Sequence, residues 1–561
     1  MKRRRVEEAF SAEDVAAALS DPKAVHLGPD EHAVVDAVKP KLADNPAVYQ
    51  RGGYLVELRS NPEPAASGRQ GPAYMATIEQ PRLRELISAS VKFFKARGTE
   101  YLRTAVPQPI VGAVAARHQW HGVRALAGIT EAPTLRADGS LLDQPGYDAA
   151  TGLVFVPRER FAAIPPVPTR EDARAAAEEL LSIVADFPFE APEHQSAWLA
   201  LVLTLAARPA IDGCVPLMLI DANTRGSGKT LLAEAAGIIA TGASLSVMAP
   251  VREDDEQRKR ITTLALAGTS AVLIDNVAGA LGGASLDAAL TATDWSDRLL
   301  GSNATVRVPL RIVWVATGNN VALAGDLVRR TLHIRLRSRE ERPEERTGFQ
   351  RPELLGFIRE NRPRLLVAAL TIVRAFFVAG RPTQGVVPWG SFGAWGRVIR
   401  ESIVWIGLPD PALTRRELSD ASDRNAEILA RLIEGWSELP ENAAGTSVAE
   451  SLRLLREYPS RYATLRDALA ESCATAPDRL DPGQVARVLR RYRDRVAGGR
   501  AIARAKKSKA GILWKVEGQP PPRGPSDASD VGDAGDADLP CEPSPASSSS
   551  PAGRPLPGET P

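Results

Sequence analysis

Residues 215–242 read VPLMLIDANTRGSGKTLLAEAAGIIATG: an apolar run, a short loop with two glycines, and a helix-forming segment that opens with lysine and threonine. No other stretch narrows the fold as much. The apolar run has the length of a strand, Gly226 and Gly228 permit a tight turn, and the alanine- and leucine-rich segment from Lys229 onward forms a helix. In such a unit the loop N–H groups and the positive end of the helix face one point, which suits a phosphate. The candidate nucleotide-binding residues are Asn223, Thr224, Arg225, Gly226, Ser227, Gly228, Lys229 and Thr230. Lys229 reaches the phosphates of ATP as a point charge, and the Thr230 hydroxyl coordinates Mg²⁺. Asn223 stands where a first glycine is usual. Asn tolerates the left-handed backbone region best among non-glycine residues, so the loop is expected to close.

Three further apolar runs, SAVLIDN, RIVWVATG and TLHIRL, alternate with helical segments up to about residue 337. That alternation predicts an α/β unit with a mostly parallel sheet. Asp275 ends the first of these runs, where an acid holds Mg²⁺ through water. Asn319 and Asn320 follow the second, placed to orient a lytic water and sense the γ-phosphate. Arg329 and Arg330 precede the third and are candidates for a finger that reaches a neighbouring subunit's site.

A chain of 561 residues exceeds one hydrophobic core, so several units are expected. Residues 1–165 mix strand-like pieces such as YLVELR with a helical stretch over 83–98, which predicts an α+β unit. A proline linker, IPPVPT, leads to a helix capped by Thr169, and residues 166–345 form the P-loop unit. Residues 346–440 are helix-rich, 441–518 form a separate domain, and 519–561 have almost nothing to bury and are expected to be disordered. The basic N-terminus has no apolar segment behind it, no run is long enough to span a bilayer, and three scattered cysteines fit a reducing compartment. A cytoplasmic protein with no membrane partner is expected.

Lys plus Arg number 70 against 68 Asp plus Glu, so only local charge is informative. Residues 480–517 carry 11 Lys or Arg against 3 Asp or Glu. Here Asp481 caps and Pro482 starts a helix whose apolar stripe is Val485, Leu489, Tyr492 and Val496. A basic hairpin follows, so the plan is winged-helix-like, with Arg487, Arg490, Arg491, Lys506, Lys507 and Lys509 as candidate DNA contacts. Trp514 sits in an apolar strand and reads as core; His118 and His121 read as structural or surface residues.

The order NTRGSGKT, AVLIDN, VWVATGNN and DLVRR resembles the AAA+ ATPases, and more closely the superfamily 3 helicase module of phage, prophage and plasmid primase-helicases. The likeness is firm over about 170–345 and extends less specifically to YQRGGYLVELR, LRADGSLLDQPGYDAATGL and GSFGAWGRVIRESIVWIG. It implies an ATP-driven homo-oligomeric ring, a hexamer, that acts on single-stranded or origin DNA with a replication partner. Lys229 and Thr230 then carry the Walker A roles, Asp275 the metal role, Asn319 the sensor role, and Arg329 or Arg330 the finger. Such proteins carry a second acid after the Walker B Asp, and here that position is Asn276. Hydrolysis is therefore slow or borrows another carboxylate, with Asp287, Asp294 and Asp297 nearby in sequence. The same segment holds Arg298, where this helicase class places DNA-contacting loop residues; the alternative is a surface charge at a helix end. Two rivals remain at this level: a DNA-binding switch or loader that binds ATP and barely hydrolyses it, and a small-molecule P-loop kinase. No primase centre is legible in residues 1–165.

Overall fold

The computed structural model describes residues 9–10, 20–60, 71–97, 100–251, 253–298, 305–440, 442–508 and 511–518. Contacts divide the chain into two compact units, Met1–Asn425 and Ala426–Pro561. The segments expected as 1–165 and 166–345 thus share one unit. The expected tail 519–561, together with Lys509, lies outside the described residues.

The heart of the first unit follows the predicted alternation. Helix α1 (Arg170–Ile183) opens at a capping box, in which Thr169 and Asp172 exchange hydrogen bonds. Helix α2 (Pro192–Ala206) is apolar nearly all round and buried. Then come β1 (Leu217–Ala222), α3 (Lys229–Thr241), β2 (Ser246–Met248), α4 (Asp254–Ala267), β3 (Ala271–Val277) and α5 (Ala284–Thr291). Strands β4 (Asp294–Arg298) and β5 (Thr305–Pro309) make an antiparallel pair. Strands β6 (Val313–Asn319) and β7 (Thr331–Leu336) and helix α6 (Leu354–Val378) complete the set.

Strands β2, β3, β6, β1 and β7 form one sheet in that order, all parallel. A parallel sheet covered on both faces demands apolar side chains on both, which is why LMLI, AVLI and VWVA read as unbroken runs. Ile220, Leu273 and Val315 pack towards α1, α2, α3 and α6; Leu219, Val272, Ile274 and Trp314 form the core of the other face with α4 and α5. The late strand β6 inserts between β1 and β3, so the ends of all three meet at one edge.

In the N-terminal part the strand expected at YLVELR spans Tyr54–Ser60. The helix expected over 83–98 is corrected: it covers Gln80–Ser90 and gives way to a strand, Lys92–Arg97. Val91 already has extended dihedrals, and the strand it opens buries Phe93 and Phe94 while pairing with Ala24–His26 and Glu100–Thr104. β-branched and aromatic residues favour that half-buried surface over a helix.

The second unit contains β8 (Thr446–Ser447), α7 (Val448–Glu457), α8 (Ala463–Cys473), α9 (Pro482–Tyr492), β9 (Val496–Ala497), β10 (Arg500–Ser508) and β11 (Gly511–Gly518). Its sheet order is β8, β11, β10, β9, antiparallel throughout. Asp481 caps α9 as expected, and Val485, Leu489 and Tyr492 are buried. Val496 is not part of that stripe and is 69% exposed, because the helix stops at Tyr492 and Asp494, at φ 61°, turns the chain into β9. Trp514 is core, and its carbonyl accepts a hydrogen bond from Trp436 Nε1.

Candidate functional site

The loop between β1 and α3 turns at Gly226 and Gly228, with φ of 73° and 83°. A Cβ on Gly228 would also come within 2.8 Å of the Phe187 ring, so glycine serves both the turn and the close approach there. Ser227 Oγ donates to the Thr224 carbonyl at 2.9 Å and closes the loop internally, while Arg225 is exposed at its apex. Asn223 corrects the expectation placed on it. It is not among the residues with positive φ; its side-chain amide donates to the Ser338 carbonyl at 2.8 Å and accepts from the Ser338 N–H at 3.0 Å. The side chain thus imitates a peptide group and ties the loop to the segment after β7, a bond pair that glycine cannot make.

Lys229 folds back over the loop. Its Nζ donates to Asn319 Oδ1 at 2.7 Å and to the Thr224 carbonyl at 3.4 Å. Burial lowers the lysine's pKa, and the carboxylates of Asp221 and Asp275 work against that shift. Thr230 Oγ1 lies 3.1 Å from Asp275 Oδ1. A hydroxyl and a carboxylate at that spacing are hard oxygen donors, which suits a cation that keeps part of its water shell and takes the rest of its ligands from phosphates.

Asp275 is aimed by two features the sequence did not announce. One is a bulge in β3 between Ile274 and Val277, where Asn276 adopts φ 55°. The other is Thr317, a buried residue of β6 whose hydroxyl donates to Asp275 at 2.5 Å and accepts from the Asn276 N–H at 3.0 Å. Gly318 makes room for the bulge, since a Cβ there would lie 2.9 Å from the Val277 carbonyl. The signal for Thr317 was its two-residue spacing from Asn319, which puts both on one face of the strand.

A second network braces the same edge. Asp221, at the end of β1, faces Arg335 across the parallel register and accepts from its Nη1 at 2.6 Å. Arg335 also pairs with Glu190 at 2.9 Å and donates to Asn320 Oδ1 at 3.1 Å. Asn319 therefore meets the lysine, while Asn320, at φ 46°, turns away to the brace.

The other predicted residues lie apart from this cluster. Arg330 is 18% exposed and held by Asp287 and Asp326; Arg329 is 67% exposed and ion-paired with Asp326. Of the three expected substitutes for the missing acid, Asp297 bonds Arg258 and Thr262 and Asp294 pairs with Arg307 on the hairpin side, while Asp287 pairs with Arg330. Arg298 is exposed at a strand end rather than a helix end, and residues 299–304 lie outside the described residues. In the second unit Arg487 and Arg490 are exposed and donate to carbonyls of their own helix, and Arg491 lies over the Tyr492 ring. Lys506 and Lys507 fall in β10. His118 is exposed and bonds the Gly53 carbonyl.

Beside the loop opens a pocket of about 240 Å³, lined among others by Ile183, Phe187, Leu231, Glu344, Arg346 and Phe349. Residues 338–352, tethered through Ser338 to Asn223, form one wall, and the Glu344 carboxylate lies directly over Gly226.

No family model and no curated protein matches the chain. Among solved structures, the apo A form of the NrS-1 C-terminal region aligns over 75% of this chain and 93% of that one, at 12% identity and TM-score 0.31. The SCCmec type IV Cch, described as an active helicase, aligns over 70% and 81% at 12% identity and TM-score 0.27. The JCV helicase aligns over 46% and 68% at 14% identity and TM-score 0.19. Likeness at this level carries no argument about this chain, and the function rests on the site. Among the described residues, no helix is long and apolar enough to cross a membrane.

Proposed function

We propose that the chain is an ATP-dependent DNA helicase, or a helicase-like motor, in the replication of a phage, prophage or plasmid. The observation that carries the reading is the convergence, at one edge of a parallel sheet, of Lys229 with Asn319 and of Thr230 with Asp275. Lysine, hydroxyl, carboxylate and amide are the groups that hold a triphosphate, its Mg²⁺ and a lytic water. On this reading Lys229 exchanges its bond to Asn319 for phosphate oxygens, Thr230 and Asp275 hold Mg²⁺, and the base enters the pocket between Phe187 and Phe349. When bound, Mg²⁺ neutralises charge on the phosphates; the protein's part is to position and to exclude water. Arg329, exposed and held only at the surface by Asp326, acts on a neighbouring site in a homo-oligomeric ring, taken here as a hexamer. Support for DNA comes from the exposed arginines of α9 and the basic strands after it, as in a winged helix, with Arg298 on the hairpin as a further contact.

The test is steady-state ATP hydrolysis with Mg²⁺, with and without single- and double-stranded DNA, for the wild type and Lys229→Ala. Stimulation by DNA that vanishes in the mutant is expected; hydrolysis that ignores both DNA and the mutation would remove the reading. Thr317→Val keeps the shape and deletes the hydroxyl that aims Asp275. It is expected to slow hydrolysis about tenfold, as loss of one buried hydrogen bond does, while binding of a fluorescent ATP analogue changes little.

A second reading is a nucleotide-switched DNA-binding or loading protein. Asn276 favours it, since its exposed amide cannot take a proton from water and, among the described residues, none of Asp287, Asp294 and Asp297 hydrogen-bonds the Lys229–Asp275 cluster. Tight ATP binding without turnover in every condition would select that reading.

A further inference from the structure

At the opposite edge of the central sheet, a cavity of about 490 Å³ lies between the N-terminal strands and the N-terminal ends of β2, β3 and β6. Its volume falls in the range of small-molecule sites, roughly 300–1,000 Å³. Three arginines line it: Arg51 and Arg208, which are 6% and 8% exposed, and Arg311, which is exposed.

Among the described residues, none of the three arginines forms an ion pair. Arg51 donates to the carbonyls of Leu126, Ala127, Ala265 and Leu266, and Arg208 to those of Ile211 and Gly213; Arg208 Nε has no hydrogen-bond partner. Glu131, the one carboxylate in the lining, is committed to Arg158 at 3.5 Å and to the Ala73 N–H at 2.9 Å. Burial pulls both inner guanidinium groups down to about 10, and the charge of Arg311 adds to the effect. Both are buried cations hydrogen-bonded to carbonyls; the exposed Asp212 offsets the charge of Arg208 only in part, and an anionic ligand relieves the remaining cost. At the rim Tyr74 is 42% exposed, a flat aromatic face of the kind on which bases stack.

We propose that this cavity binds a nucleotide through its phosphate, with Arg208 and Arg311 facing the phosphate and Tyr74 stacking on the base. The site is separate from the phosphate loop. On strand β3 the cavity residue Ala271 and the site residue Asp275 are four residues apart, about 13 Å. The nucleotide comes either as a free nucleoside phosphate or as one residue of a single strand; the chemistry at the arginines is the same. The proposal stands independently of the ATPase reading, because its readout is position of binding and not turnover.

The experiment is photo-crosslinking of the full chain with 4-thiothymidine monophosphate, and with a short oligo(dT) carrying one 4-thiothymidine, followed by peptide mapping. Wild type and Lys229→Ala are expected to crosslink alike at Tyr74 or at neighbouring lining residues, saturably with concentration. Arg311→Ala, a change at an exposed side chain, is expected to raise the half-saturating concentration about tenfold, as loss of one charge-assisted contact does. Labelling by the monophosphate identifies a free nucleotide as the source, and labelling by the oligonucleotide alone identifies a strand. Labelling confined to residues 223–230 or to the C-terminal unit overturns the proposal, as does saturation at Tyr74 that Arg311→Ala leaves unchanged. Circular dichroism of Arg311→Ala guards against a folding defect.

Discussion

Arg329→Ala is expected to lower DNA-stimulated ATP hydrolysis by about 10³-fold or more, the scale of a trans-acting arginine finger. It should do so without unfolding the chain, because the side chain is 67% exposed and its ion pair with Asp326 is a surface contact. The sharpest form of the experiment mixes two inactive proteins, Arg329→Ala and Lys229→Ala. In a mixed ring, the first supplies an intact phosphate loop and the second an intact finger, so activity should reappear on mixing. Failure to recover, with both proteins forming rings, would place the arginine's role elsewhere. Arg330 is the contrasting residue. It is 18% exposed and bonds Asp287, whose carboxyl has its pKa raised by burial, with Arg330 pulling the other way. Arg330→Ala strips a half-buried carboxyl of its partner and is expected to destabilise the fold by about 1–3 kcal/mol, seen as a lower thermal midpoint.

Asn276→Asp is expected to raise the hydrolysis rate by about 10²-fold, the lower range of what a positioned general base contributes. The choice of Asp over Glu follows from the backbone. Asn276 sits at φ 55° in the β3 bulge, a region that short polar side chains tolerate and that costs longer ones about 1–2 kcal/mol. The amide is thus compatible with two explanations, backbone geometry and a lowered rate, and the substitution separates them. A faster enzyme means that the missing carboxylate limits turnover. An unchanged rate, in a protein whose activity still depends on Lys229, means that another group handles the proton.

Much of this architecture is local and therefore readable from the chain alone. Unbroken apolar runs of strand length, glycines at the two turn positions, Lys229 at the helix start, Thr169 and Asp481 at caps, and Asp275 at the end of an apolar run all act through residues a few positions apart. Periodicity and propensity encode such features, so the strands and helices around the site were predictable, as were the identities of Lys229, Thr230, Asp275 and Asn319 as residues that come together. The segment 91–97 failed because its pattern admits both helix and strand, and only the strands available to pair with it decided the matter.

What tertiary structure alone decided is who meets whom across the sheet. The insertion of β6 between β1 and β3 brings Thr317 to Asp275, and the register of β1 with β7 sets Asp221 against Arg335, 114 residues away. Asn223 finds its partner at Ser338, 115 residues on, so the departure from glycine makes sense only once β7 is known to run beside β1. Three arginines from separate segments gather round one cavity in the same way. The local pattern determined which elements form and what each carries at its end. Long-range strand pairing, driven by burial of both sheet faces, determined which of those ends share a site.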